Sequence, residues 1–180
     1  KNVARALETW PLLKSKGLLS EYRLVGHGMG PGEEAESYAT ERDLAEGVVF
    51  VGAVPFEDAL EEIRSSTLLL HPSLEESFGM TILEAMVAGT PVVAGRSSGN
   101  VPELLGQGAC GYLCDVDDPN DIERAVIDAL TRKETTAIKV AQALERVRQC
   151  YSEDRVMEQL EQYYARVLRQ ARPPAAGTGT

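Results

Sequence analysis

Two acidic residues frame the part of the chain best suited to chemistry. Glu76 and Glu84 enclose seven residues, Glu76-Ser-Phe-Gly-Met-Thr-Ile-Leu-Glu84, within the window Leu70 to Asn100. Phe78-Gly79-Met80-Thr81 reads as the opening of a helix. The first N–H groups of a helix lack intrahelical acceptors and lie at the positive end of its dipole, so Gly79, Met80 and Thr81 form an anion site. Gly79 also lets a ligand come close to the backbone. A carboxylate ahead of that turn and another beside it can each accept hydrogen bonds from hydroxyls. Such a set suits a ligand with a phosphate flanked by hydroxyls, and a nucleotide sugar has that form. Taken singly, Glu76 is an ordinary loop acid and Glu84 an ordinary helix-surface acid. Glu84, however, stands in a helix otherwise apolar nearly all round, where a charge needs a partner or a ligand.

The elements around this window alternate. Short runs rich in β-formers are expected as strands at Tyr22–Gly26, Val48–Gly52, Thr67–His71, Pro91–Ala94 and Gly111–Cys114. Between them, helices are expected at Asn2–Lys16, Glu33–Glu46, Phe56–Ser65, Gly79–Ala88 and Asn100–Leu105. Pro11 is expected to kink the first helix or weaken one turn. The helix at Gly79–Ala88 is expected to be buried. Asp118-Pro119 starts a further helix, with Asp118 as cap. Two more follow near residues 134–149 and 153–170, the last with Val156, Leu160, Tyr163 and Val167 on one face. Residues 172–180 have nothing to pack and are expected to be disordered, leaving one domain over residues 1–171. Alternating strands and helices point to an α/β fold, a parallel sheet with helices on both faces. Ligands of such sheets bind beyond the carboxyl ends of the strands, and those ends are Gly26, Gly52, His71, Ala94 and Cys114.

Composition bounds the rest. The chain has 180 residues, 18 Lys plus Arg and 28 Asp plus Glu, for a net charge of −10. That balance argues against a nucleic-acid-coating surface. No apolar run approaches the ~20 residues of a membrane span. The three cysteines, Cys110, Cys114 and Cys150, are too few and too scattered for a disulfide framework, and fit core thiols in a reducing cytoplasm. Neither they nor the two histidines supply a zinc set. His71 reads as a structural histidine or one hydrogen-bonded to the loop after it. The start Lys1-Asn2-Val3 reads as that of a fragment or of a processed chain.

The Glu76–Glu84 window resembles the donor-binding, C-terminal half of retaining glycosyltransferases built from two Rossmann-like domains, the GT-B architecture, and in particular the group 1 or family 4-like members. The family's signature is Glu, seven residues, Glu; Glu75 is excluded because Leu83 lies eight residues on. The likeness extends to Leu24-Val25-Gly26-His27-Gly28, Pro72-Ser73, Phe78-Gly79, Glu84-Ala85-Met86, Gly89-Thr90-Pro91-Val92-Val93, Pro102-Glu103 and the Gly111 region, over roughly residues 1–170. Ser98-Gly99-Asn100 departs from the family's double glycine.

The resemblance implies roles. Glu76 would hold the donor sugar hydroxyls as the catalytic carboxylate, and Glu84 the ribose. The backbone of Phe78, Gly79, Met80 and Thr81 would receive the diphosphate and sugar, Gly52 and Val54 would lie against the base, and Lys1 would neutralise the diphosphate. No metal or cofactor is implied beyond the nucleotide-diphospho-sugar itself, because helix dipole and cations do that work. The implied partner is an N-terminal acceptor-binding domain that is missing, so the chain alone is expected to be inactive while binding nucleotide weakly. The setting would be glycoconjugate or polysaccharide synthesis, in the cytoplasm or peripheral to a membrane. The family's first, central strand would lie upstream of Lys1. Without it a weakened sheet is expected, or an exposed edge that takes a strand from another chain. The alternatives are a nucleotide-sugar epimerase domain and a non-catalytic nucleotide-binding or interaction module.

Overall fold

The computed structural model describes residues 2–170. Lys1 and the tail at 172–180 lie outside the described residues. The elements are α1 (Val3–Ser15), β1 (Tyr22–Val25), α2 (Glu34–Glu41), β2 (Val48–Gly52), α3 (Phe56–Ser65), β3 (Leu69–His71) and α4 (Met80–Ala88). Then come β4 (Val92–Gly95), α5 (Val101–Leu104), β5 (Tyr112–Cys114) and α6 (Pro119–Thr131), and finally α7 (Lys133–Cys150) and α8 (Glu153–Gln170). Two units divide at Leu144 and Glu145. In the second unit, Leu160, Tyr163 and Val167 of α8 are exposed.

Every strand pair is parallel, as an α/β fold requires: Tyr22 faces Val48, Leu69 faces Val92, and Val93 faces Tyr112. The strands nevertheless form two sheets, β1-β2 and β3-β4-β5, rather than one. Burial follows the break. All of β4 is buried, whereas β1, β2 and β3 are mostly half-buried. A cavity of about 760 Å³ lies between the two sheets, walled by Tyr22 to Val25 on one side and Leu69 to His71 on the other.

Helix α1 spans that break. Its Trp10 and Leu13 pack with Val93, Cys114, Ile122 and Val126, while its Leu7 packs with Leu24, Ala35 and Ala39. Trp10 stacks on Tyr22 with ring centroids 5.8 Å apart, and its Nε1–H donates to the Glu46 carbonyl at 2.8 Å. The helix runs through Pro11 and ends at Ser15. The Asp118 side chain caps α6, accepting from the Asn120 N–H at 2.9 Å.

Two expectations need correction. The helix expected at Glu33–Glu46 stops at Glu41, because Asp43 adopts φ +56° and reverses the chain. The Leu44 N–H then reaches back to the Ala39 carbonyl at 2.8 Å, and Leu44 packs against the cluster containing Ala39, a helix stop of the Schellman type. Helix α4 is not buried all round. Ile82, Ala85 and Met86 are buried on one face, while Met80 and Val87 are 57% and 55% exposed on the other. With 3.6 residues per turn, a helix covering one side of a sheet buries only one stripe.

Candidate functional site at the carboxyl ends of the strands

Gly79 sets the entrance to α4. Its φ of +92° lies in the left-handed region, and a Cβ there would stand 3.1 Å from Leu104 Cδ2 and 3.5 Å from Glu76 Cγ. The Leu83 N–H donates to the Gly79 carbonyl at 3.0 Å, which opens the helix ladder. The N–H groups before it have no place in that ladder and carry the positive end of the dipole. Glu76 lies beside them.

Glu76 is held at both ends. Its carbonyl accepts from the Asn100 N–H at 3.0 Å. A Cβ on Gly99 (φ +55°) would fall 2.3 Å from the Glu76 carbonyl oxygen, so only a glycine fits against it. At the side-chain end, His71 Nε2 lies 3.2 Å from Glu76 Oε2. His71 ends β3 and is buried. Next to it, buried Ser98 donates its hydroxyl to the Ser73 carbonyl at 2.5 Å. The Ser98-Gly99-Asn100 departure thus fastens the loop after β4 to the loop after β3.

The cavity between the sheets brings further residues together. Val54, His71, Thr81 and Glu84 all line it, as do Gly26 and His27. Glu84 is half-buried within α4, and its carboxylate makes no hydrogen bond or ion pair with any described residue. Phe78 and Met80 are exposed beside it. Gly52 is buried against another loop: a Cβ there would lie 2.9 Å from Gly30 Cα, and its carbonyl accepts from the Gly26 N–H at 2.8 Å. Its glycine is therefore accounted for by loop packing.

Beyond β4 and β5 stands a charged brace. Asp121 Oδ2 lies 2.8 Å from an Arg96 nitrogen, and its Oδ1 lies 2.5 Å from one of Arg124. The Asp115 N–H donates to Asp121 Oδ2 at 2.8 Å. Burial alone would raise the Asp121 carboxyl, but the Arg124 hydrogen bond, the Asp115 N–H and the Arg96 charge outweigh it and hold the group below the usual carboxylate range. Burial first, then the Asp121 charge, push the Cys114 thiol up to about 12. A neutral, buried thiol is no nucleophile at neutral pH. Among the described residues no group of three His, Cys, Asp or Glu side chains could hold a metal ion.

Parallel strands, a glycine-opened helix N-terminus and two glutamates eight positions apart thus meet at one end of the fold. Over residues 1–146 the chain matches the family described as glycosyl transferases group 1. It belongs to that family. It is 32% identical over 126 residues to N-acetyl-alpha-D-glucosaminyl L-malate synthase of Bacillus anthracis, which covers 70% of this chain and 32% of that enzyme. This group 1 chain thus spans about a third of the length of that relative. Its fold matches sucrose-phosphate synthase of Thermosynechococcus elongatus with a TM-score of 0.72 at 24% identity, over 92% of this chain and 43% of that one. HepE of Anabaena, in complex with UDP-glucose, matches with a TM-score of 0.66 at 20% identity, over 87% of this chain and 52% of that one. These are GT-B glycosyltransferases, so the group 1 chain has the Rossmann-like architecture expected of it. Among the described residues no helix is long and apolar enough to cross a membrane.

The reading of His71 as hydrogen-bonded to the loop after it agrees with its contact to Glu76, though Glu76 was not identifiable as the partner, and Ser98, Gly99 and Asn100 were not identifiable as site residues from the sequence. The contact between His71 and Glu76 joins positions five apart, but its direction depends on the path of the loop between them. The Ser98–Ser73 contact joins positions 25 apart, and nothing in local spacing announces it.

Proposed function

We propose that the chain is the donor-binding domain of a retaining glycosyltransferase, extending over residues 1–171, which binds a nucleotide-diphospho-sugar for transfer of its sugar to a hydroxyl acceptor. One observation carries this reading most: Glu84 lines the cavity at the carboxyl ends of the strands and is left without a partner among the described residues. A half-buried carboxylate in that position is stabilised by ligand hydroxyls. In this scheme Glu84 accepts from the ribose and Glu76 from the donor sugar. The diphosphate lies against the backbone of Phe78, Gly79, Met80 and Thr81, with Lys1 as its cation. Val54 and Gly52 flank the base.

The chemistry follows from the charges. As the bond from sugar to diphosphate breaks, negative charge builds on the leaving phosphate. N–H groups already aimed at that place stabilise the charge without reorganising, and loss of one such donor typically costs about 10²–10³ in rate. The acceptor and the rest of the cleft come from an N-terminal domain, so the chain alone binds donor without turning it over. The UDP-glucose bound by HepE supports a nucleotide sugar as the ligand class. A cytoplasmic enzyme, peripheral to a membrane where the acceptor is a lipid, suits this role.

Calorimetric titration with UDP-, GDP- and ADP-glucose tests the reading. The wild-type chain should bind one of them, and Glu84→Ala should weaken that binding about tenfold to a hundredfold, the loss of one or two charge-assisted hydrogen bonds. Unchanged affinity in Glu84→Ala removes the reading. Conversion of a nucleotide sugar with no acceptor present would point to an epimerase instead.

A further inference from the structure

We propose that His71 is a positioning residue for Glu76: its Nε2–H donates to the carboxylate and keeps it aimed at the donor sugar. This rests on the donor-site reading above, which gives Glu76 the sugar.

Three observations carry it. First, the contact has one chemical form when the carboxylate is ionised. An ionised carboxylate accepts and does not donate, so the proton shared at 3.2 Å between His71 Nε2 and Glu76 Oε2 belongs to the imidazole. Second, both partners are confined. The His71 side chain is 5% exposed and that of Glu76 20%. His71 is the buried last residue of β3, paired in register with Ala94 of the fully buried β4, so the imidazole starts from a backbone position set by the sheet. A carboxylate four-fifths covered is costly to keep charged without a donor, and the fixed N–H supplies one. Third, the backbone of Glu76 is set by a different loop, through the Asn100 N–H and the close approach of Gly99. Backbone and carboxylate are thereby fixed by separate elements, β4's loop and β3's last residue. A sugar-binding carboxylate must be held close to its working geometry to be useful. His71 also lines the cavity together with Thr81 and Glu84.

The test has a ligand-free arm and a binding arm, both on the 180-residue chain. In the first, long-range nitrogen–proton correlation spectra of the imidazoles should show Nε2 of His71 protonated, and Glu76→Gln should move its nitrogen shifts. A His71 protonated only at Nδ1, or shifts indifferent to Glu76→Gln, overturns the proposal whatever binds. In the second arm, His71→Phe, His71→Gln, Glu76→Gln and the double variant His71→Phe/Glu76→Gln are titrated with UDP-, GDP- and ADP-glucose and with the corresponding free diphosphates. His71→Phe should lower affinity for the sugar-bearing ligand about tenfold, one charge-assisted hydrogen bond's worth, and leave the free diphosphate within about twofold. His71→Gln, which keeps an N–H, should recover part of the loss, and the double variant should bind no worse than Glu76→Gln alone. Losses that multiply in the double variant, or equal losses for sugar-bearing and free diphosphate, would assign His71 a general structural role and overturn the proposal. Wild-type protein that binds none of the ligands removes the donor-site reading, and the positioning role falls with it. Wild-type binding with His71→Phe unaffected removes the His71 role alone.

Discussion

At Gly99 the structure asks for something only one residue type provides. Its φ is +55°, and an added Cβ would lie 2.3 Å from the Glu76 carbonyl oxygen and 3.2 Å from its carbon, both backbone atoms with little room to yield. Gly17 provides the comparison, since its φ is +66° but nothing lies within 4 Å of its Cβ position. Gly17→Ala should therefore cost only the left-handed backbone penalty, about 1–2 kcal/mol. Gly99→Ala adds a collision and should cost about 1–3 kcal/mol more, and by moving Glu76 it should weaken the sugar contact proposed for that residue. Urea midpoints for the two variants separate the contributions; equal losses would show that the loop shifts freely and that Glu76 is not braced from this side. The same residues mark the limits of the sequence. Gly79 is legible as a candidate because a glycine stands at the start of an apolar helix, and Glu76 and Glu84 because their spacing around that start is the one the family resemblance picks out. His71 and Gly99 act across loops, and the side of the site they reach is decided by the tertiary path.

Among the elements, local signals were reliable where the chain's own backbone decides the outcome. Asp118-Pro119 starts α6 as its residues predict, with the Asp118 carboxylate on the Asn120 N–H. The end of α2 was hidden because Asp43, not glycine, takes the left-handed position, and the packing of Leu44 near Ala39 accounts for it. The Asp121 brace was hidden too, since Arg96 and Asp121 belong to different elements. That brace yields a prediction with a definite sign. The folded Asp121 carboxyl is held below its unfolded value, so its contribution to stability is whole above about pH 3.9 and is lost as pH falls through the lower folded value. Asp121→Asn should lower stability at neutral pH by about 1–3 kcal/mol, the worth of hydrogen bonds to a charged group. The gap from wild type should narrow as the pH drops below about 3.9. Denaturant titrations at both pH values check this; a gap that stays constant would mean that the arginines, 51% and 70% exposed, are too well solvated for the pairing to matter.

In the unit that ends at Leu144, the sheet is two pieces joined through helices, and this has consequences for its dynamics. β4 has a hydrogen-bonded neighbour on each side and is wholly buried. Among the described residues β1 pairs only with β2 and β3 only with β4, and both border the cavity of about 760 Å³. Local opening is cheapest where backbone hydrogen bonds are few and apolar cover is thin. Amide exchange should therefore be slowest along Val92 to Gly95 and clearly faster along Tyr22 to Val25 and Leu69 to His71. Helix α1 gives the matching perturbation, because Trp10 and Leu13 sit in one core cluster and Leu7 in the other. Trp10→Ala removes a fully buried ring and should cost about 3–5 kcal/mol. It should also separate the two sheets in exchange behaviour, with β1 and β2 losing protection before β4 does. Uniform protection across all five strands in the wild-type chain would mean that the two sheets open as one unit, and that α1 and α6 supply the cooperativity a shared strand would otherwise provide. Because the cavity proposed as the donor site draws Gly26 and Val54 from one piece and His71, Thr81 and Glu84 from the other, weaker protection at β1 also predicts that a bound nucleotide sugar protects β1 amides more than those of β4. Exchange measured with and without the nucleotide sugar that binds tests that coupling, and an equal gain in both strands would mean that the ligand stiffens the sheets generally, without joining one to the other.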